Sequence, residues 1–205
     1  IPDQFGNRIL VVDLTKRKVS KMIPVAREPV VAALTHEGKK LFIAHFLPDG
    51  PSDSSYVASS VSVINTSDQK VSRKIRLPNG STGIRAMALS PDGKTLYITH
   101  VLGRFSLPTT QLERGWMNTN AFTLINTTTD EVINTVLLDD VDLGAANPWG
   151  AAVNREGDRL IIAHAGTNEL SIIRLKELHD KLDRLARGEK VSVAAEKPEE
   201  VVNDL

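Results

Sequence analysis

An all-β chain of repeated, four-stranded antiparallel units is what this sequence predicts, and three observations carry the prediction. Two spacings recur three times. Asp13 to Val19, Asn65 to Val71 and Asn126 to Val132 are six apart, while Gly38 to His45, Gly93 to His100 and Gly157 to His164 are seven apart. The segments between them are rich in Val, Ile, Leu and Thr, the residues that fit a pleated sheet. The breaks between segments carry turn chemistry, with Gly supplying positive φ in His36-Glu37-Gly38-Lys39, Pro91-Asp92-Gly93-Lys94 and Arg155-Glu156-Gly157-Asp158. Four short strands per unit of roughly 45 residues is the pattern of a β-propeller blade.

Taken in order, "RILVVDLTKRKV" is followed by "PVVAALTHEGKKLFIAH". "SSVSVINTSDQKV" is followed by "IRAMALSPDGKTLYITH", and "NAFTLINTTTDEV" by "PWGAAVNREGDRLIIAH". "NELSIIRL" starts a fourth round. With strands a to d counted outward from the axis, "VVAALT", "RAMALS" and "GAAVNR" are strand a, and "KLFIAH", "TLYITH" and "RLIIAH" are strand b. "ILVVDL", "VSVINT" and "FTLINT" are strand c. The chain opens on a third-strand pattern and holds about three and a half blades. Propellers close with 4–8 blades, so the expectation is an arc of a six- to eight-bladed ring. Blades are expected over residues 1–174 and a helical insertion or tail over 175–205, leading on to further blades. There Leu175, Leu178, Leu182 and Leu185 recur at helical spacing, Gly188 fits a C-cap, and Pro198 can open a second short helix.

The segment "VSVINTSDQKVSRKIRL…ALSPDGKTLYITH" resembles the YVTN (YncE-like) propeller repeat, with its Val-Ile-Asp-Thr and Pro-Asp-Gly-Lys-Leu-Tyr-Val steps. The resemblance runs from about Asn7 to Leu175. The chain departs from that family at the end of strand b, where Ala-His or Thr-His stands in place of Ala-Asn. The run "RFSLPTTQLERGWMNTNAFTLINTTTDEVINTVLLDDVDLGAANPWG" is similar to bacterial propellers that carry a cytochrome c peroxidase-like haem domain. That resemblance implies an envelope setting, periplasmic or cell-surface, and haem in an associated domain. It implies no haem in this chain, which lacks the Cys-x-x-Cys-His motif.

Composition narrows the partners. The chain has 205 residues, 41% hydrophobic and 24% charged, with 25 basic and 25 acidic side chains. That balance gives no electrostatic case for nucleic acid or an anionic membrane surface. Absence of cysteine removes disulfides and thiolate metal sites. No apolar run approaches the roughly 18 residues of a membrane span. Ile1-Pro2-Asp3-Gln4 does not read as a signal peptide; one was removed or none existed.

Loop lengths point to a working face. The b–c connection takes 10 residues from His164 to Arg174, but 20 from His45 to Asn65 and 26 from His100 to Asn126. The d–a connections also lengthen, whereas a–b and c–d turns stay tight. In an antiparallel blade the lengthened connections share one face, and loops on a rigid scaffold are where binding concentrates.

On that face Arg104, Arg114, Trp116 and Asn118 are candidate ligand- or partner-binding residues, since Arg and Trp anchor binding surfaces. The bland alternative is that Trp116 folds the loop onto the blade edge. Arg85 and Trp149 are candidates for the axial pocket. His45, His100 and His164 end strand b in three blades. As blade fixtures they hydrogen-bond a backbone carbonyl; as metal or haem ligands they must converge to about 2 Å from a shared ion, which their places on a circle about the axis oppose. Asp139, Asp140 and Asp142 offer oxygen ligands for Ca²⁺, or form a solvated acidic turn without EF-hand spacing. The leading expectation is a non-catalytic binding or scaffold domain presenting its loops to a small ligand, a protein partner or a cytochrome c-type domain. Its rivals are a propeller enzyme or haem- or metal-binding electron-transfer domain using a pocket of Arg85, Trp149 and the histidines, and an adhesion spacer. No nucleophile elbow or phosphate loop is present.

Overall fold

The computed structural model describes residues 1–103, 117–139 and 144–191. Its strands form four separate antiparallel sheets, the blades of a β-propeller. The first holds β1 (Pro2–Asp3), β2 (Arg8–Asp13) and β3 (Lys18–Pro24). The second holds β4 (Pro29–Leu34), β5 (Lys40–His45), β6 (Ser60–Asn65) and β7 (Lys70–Arg76). The third holds β8 (Ser81–Leu89), β9 (Thr95–Gly103), β10 (Asn118–Asn126) and β11 (Glu131–Leu137). The fourth holds β12 (Pro148–Val153), β13 (Arg159–His164) and β14 (Glu169–Arg174), after which α1 (Leu175–Ala186) begins. Strands a, b and c fall where the repeat places them.

Two details differ from the sequence reading. The chain does not open on a third strand. Pro2 and Asp3 pair with Ile9 and Arg8, adding a short piece in the strand-b position. The N-terminal ammonium donates to the Leu10 carbonyl at 2.8 Å, and Arg8 holds Asp3 at 2.7 Å. Second, strand pairing runs on into the long b–c connection that follows His100. Gly103 pairs with Asn118, so three further pairs extend that hairpin beyond His100 and Ala121.

The two repeated spacings have physical causes. In each c–d turn the first residue folds its side chain back onto the turn. Asp13 Oδ1 accepts from the amides of Thr15 and Lys16, Asn65 Oδ1 from Ser67, and Asn126 Oδ1 from Thr128 and Thr129. The turns close on left-handed residues, Arg17, Gln69 and Asp130, at φ 52°, 55° and 57°. Asx turns of this kind tolerate that conformation. On the same face Thr66 and Thr127 donate to the carbonyls of Gly38 and Gly93, locking each a–b turn to its neighbouring c–d turn.

Apolar cores lie between blades. Phe42, Val61, Val63 and Leu77 of the second blade pack on Ile84, Leu96, Ile98 and Ile125 of the third. Tyr97, Phe122 and Leu124 of the third meet Leu160 and Ile162 of the fourth. Ile9 and Ile23 of the first meet Ile43 and Ile64 of the second. Each large buried side chain removes enough apolar surface to contribute about 1.5–3 kcal/mol. α1 closes the outer part of the third interface through Leu175, Leu178 and Leu182, and the Tyr97 hydroxyl meets His179 Nε2 at 2.9 Å. Its C-terminus ends at Gly188 (φ 79°), whose amide donates to Leu185. Pro198 lies outside the described residues. The positions of Phe122 and Leu124 correspond to Leu170 and Ile172 in the fourth blade, which are 64% and 59% exposed.

Among the described residues no helix is long and apolar enough to cross a membrane.

Candidate functional site

Strand a starts irregularly in all three complete inner strands, always opposite the strand-b histidine. Pro29 pairs with His45 and Val31 with Ala44, leaving Val30 as the extra residue. Pro148 pairs with His164 and Gly150 with Ala163, leaving Trp149. In the third blade the register shifts between Thr82 and Ala86, and Arg85 takes the equivalent place. A left-handed residue precedes each bulge: Glu28 at φ 53°, Gly83 at 67° and Asn147 at 56°. Bulges of this kind re-aim side chains that a regular strand would alternate in and out. Val30, Arg85 and Trp149 are therefore three versions of one position on the innermost strand, at the loop face.

Two of the three meet. The Arg85 guanidinium carbon lies 4.0 Å from the centre of the Trp149 ring and 4.3 Å from that of Phe46. The cation is stacked between aromatics of the fourth and second blades. Such contacts are each worth about 0.5–2 kcal/mol, depending on desolvation. Trp149 stays 52% exposed, and Arg85 is exposed as well. A cleft of ≈180 Å³ opens beside them, walled by Phe46, Gly83, Val101, Asn147 and Pro148.

This mouth is braced from below. Asp139, buried, accepts from the Asn120 amide at 2.6 Å, from Asn120 Nδ2 at 2.9 Å and from the Ala145 amide at 2.6 Å. Asn120 Oδ1 in turn accepts from the Asn147 amide at 3.1 Å, fixing the residue that launches the Trp149 bulge. Asn7 Oδ1 holds the Glu28 amide in the same way, at 2.9 Å, two interfaces earlier, between the first and second blades. Asp139 thus spends its carboxylate on the scaffold. Asp140 and Asp142 lie outside the described residues.

The histidines stand apart from the cleft. His45 and His100 are fully buried and His164 nearly so. Each uses Nε2 to share a 2.8 Å hydrogen bond with a hydroxyl on strand c of its own blade: Ser62, Thr123 and Ser171 respectively. The fixture in all three blades is a side-chain hydroxyl, because the ring points across the sheet toward a diagonal neighbour; His100 adds the backbone carbonyl the sequence suggested, its Nδ1 meeting the Val101 oxygen at 3.3 Å. Thr123 continues the chain to the Thr135 hydroxyl at 2.7 Å. Burial holds His45 and His100 neutral, lowering each from 6.5 to about 4. The pocket of Arg85, Trp149 and histidines foreseen for an enzyme reduces to Arg85 and Trp149. Among the described residues no three His, Asp or Glu side chains gather as a metal-ligand group.

Arg104, Arg114 and Trp116 lie outside the described residues. Asn118 sits in β10, exposed, paired with Gly103. Phe46 was missed by sequence reasoning. It directly follows His45, where the other blades place Val101 and Ala165, and only that unit-by-unit comparison marks it as unusual. A larger cleft, ≈440 Å³, lies on the opposite face among Thr35, His36, Lys39, Lys40, Asp92 and Lys94. Its Lys39 pairs with Glu37 at 2.7 Å and its Lys40 with Asp130 at 2.8 Å, so much of its charge is already spent.

Known proteins extend this picture. The hydrazine synthase structure of Kuenenia stuttgartiensis superimposes with a TM-score of 0.76 at 26% identity, over 92% of this chain and 51% of that one. The Dos1 propeller matches with a TM-score of 0.55 at 7% identity, over 82% and 40%, and shows the fold alone. In sequence, hydrazine synthase subunit beta of Kuenenia stuttgartiensis is 29% identical over 103 residues, 50% of this chain and 27% of that protein. Antigen Lp49 of Leptospira interrogans is 32% identical over 106 residues, 50% and 23%. The chain therefore spans about a quarter of these curated relatives along the matched stretches and about half of the solved one. No protein-family model matches the chain.

Proposed function

We propose that this chain is the binding part of a propeller whose loop-face mouth, centred on Arg85 and Trp149, docks a protein partner. The observation that carries the reading is the exposed Arg85 stacked between Phe46 and Trp149. Arg and Trp are the residue types that dominate binding energy at interfaces, and here both are pre-positioned by bulges on rigid strands. Arg104, Arg114 and Trp116, which fall between β9 and β10 in the chain, stay candidate partner-binding residues on the residue types alone. The relative named a subunit of hydrazine synthase works, by that name, within an assembly, which supports a partner-binding role. Its activity is a property of that protein. Catalysis at this mouth is a poorer reading, because Arg85 is the only titratable group lining the cleft among the described residues.

The finer placement rests on resemblance. We read the repeats as YVTN-like, on the steps Val63-Ile64-Asn65-Thr66 and Pro91-Asp92-Gly93-Lys94. We place the protein in the bacterial periplasm or at the cell surface, which the antigen relative supports, with any haem carried by an associated domain. The test is a pull-down with the partner identified by mass spectrometry. Trp149→Ala and, in a separate arm, Arg114→Glu with Trp116→Ala are expected to lose the partner while the melting curve stays in place. Retention by both, or loss only on changing Lys39 and Lys94 on the opposite face, overturns the reading.

A further inference from the structure

We infer that the mouth recognises a carboxylate, specifically an acidic side chain of the docking partner, gripped end-on by Arg85. This deepens the partner-binding reading and rests on it. The guanidinium is held by two rings, its carbon 4.3 Å from the centre of Phe46 and 4.0 Å from that of Trp149. Arg85 stays exposed, and its N–H donors lie along the edge of the guanidinium plane. Among the described residues no hydrogen bond or ion pair engages that edge, in contrast to Arg8, Arg174, Arg184 and Arg187, each of which holds a carboxylate. A planar fork approached in its own plane matches a carboxylate through two parallel bonds. Stacking also fixes the side chain beforehand, so little rotamer freedom is lost on binding.

The cleft selects among carboxylates by size and lining. At ≈180 Å³ it is smaller than the roughly 300–1,000 Å³ of small-molecule pockets, which suits one side chain. Phe46, Val101, Pro148 and Trp149 supply apolar walls for the methylene groups of a Glu or Asp. The remaining liners, Gly83 and Asn147, carry no negative charge to repel the ligand. Partial removal of water by the two rings strengthens a charge-assisted bond relative to one at an open surface.

The test is an NMR titration of the full chain with a blocked tetrapeptide, acetyl-Gly-Glu-Glu-Gly-amide, followed at the Arg85 Nε–H and Trp149 indole N–H. A matched Gln peptide and inorganic phosphate are the comparison probes. The Glu peptide is expected to shift both signals at about millimolar concentration, with the Gln peptide at least tenfold weaker. Arg85→Gln is expected to abolish the shift of the Trp149 signal, Arg85→Lys to weaken binding about tenfold by removing the fork, and Trp149→Phe to retain it. No shift with the Glu peptide, equal binding of the Gln peptide, or unchanged affinity in Arg85→Gln overturns the assignment. Phosphate binding as tightly as the Glu peptide also overturns it, in favour of a free-anion site. If Trp149→Ala loses the partner while the peptide shows no dependence on Arg85, the carboxylate falls and the platform stands. If the peptide needs Arg85 but partner capture ignores the mouth, the platform falls alone.

Discussion

Two rows of residues face each other across strands a and b, and they behave in opposite ways. In strand b the same residue recurs: His45, His100 and His164, each bound to a hydroxyl on strand c. In strand a, at the bulge that faces the end of strand b, the extra residue is Val30, Arg85 or Trp149. The repeated residue is buried and tied through Nε2 to a hydroxyl of its own blade. The varied residue sits at the bulge, and two of its three versions stack on each other at the mouth. Repetition therefore marks what each blade needs to fold, and departure from repetition marks what one blade does that its neighbours do not.

Substitutions can break that contrast, and the largest effect belongs to the repeated row. His100→Ala empties a fully buried site and removes a hydrogen-bond partner of Thr123, and should cost about 3–5 kcal/mol in chemical denaturation. If it costs no more than Trp149→Ala, the division of labour is wrong. Acid gives the next effect. His100 has a folded pKa of about 4 against 6.5 when unfolded, so below pH 6.5 the unfolded chain binds more protons. Stability present above pH 6.5 should then be lost as pH falls toward 4, by on the order of 3 kcal/mol for this one group. His100→Gln should flatten that slope; an unchanged slope would place the lost protons elsewhere.

The brace under the mouth comes third. Asp139→Ala removes the carboxylate that accepts from the Asn120 amide, Asn120 Nδ2 and the Ala145 amide, and about 2–3 kcal/mol of stability should go with it, measured by thermal melting. Thr123→Val keeps the shape but leaves His100 Nε2 alone, an expected loss of about 1–2 kcal/mol. Trp149→Ala should be the mildest, below about 1 kcal/mol, because the ring is half exposed. A larger loss would make Trp149 part of the frame, and the contrast between the rows would collapse.

The frame was legible in the sequence because its causes are local. Asp13, Asn65 and Asn126 fold onto amides two or three residues away, so their chemistry shows as a fixed spacing. Gly38, Gly93 and Gly157 adopt φ of 68°, 74° and 73°, which a turn between two apolar runs announces. The histidines were legible as a repeat but not in their partners, since Ser62, Thr123 and Ser171 are diagonal neighbours across a strand pair. The mouth was half legible. Arg85 and Trp149 stand eight residues before Gly93 and Gly157 and could be named, but Phe46 reaches them only through the closure of three blades. The bulge itself was hidden, because Glu28 takes a left-handed conformation that no Glu advertises. The brace from Asp139 to Asn120 spans 19 residues and likewise leaves no local trace.

The left-handed residue ahead of each bulge has a further consequence. Because the backbone at Glu28, Gly83 and Asn147 sets the exit direction, the side chain that follows is free to vary without disturbing the sheet. Each blade thus holds one slot whose contents can be rewritten independently. A ring built this way presents its centre as a short word, one letter per blade, and the letters spelled in this chain are valine, arginine and tryptophan.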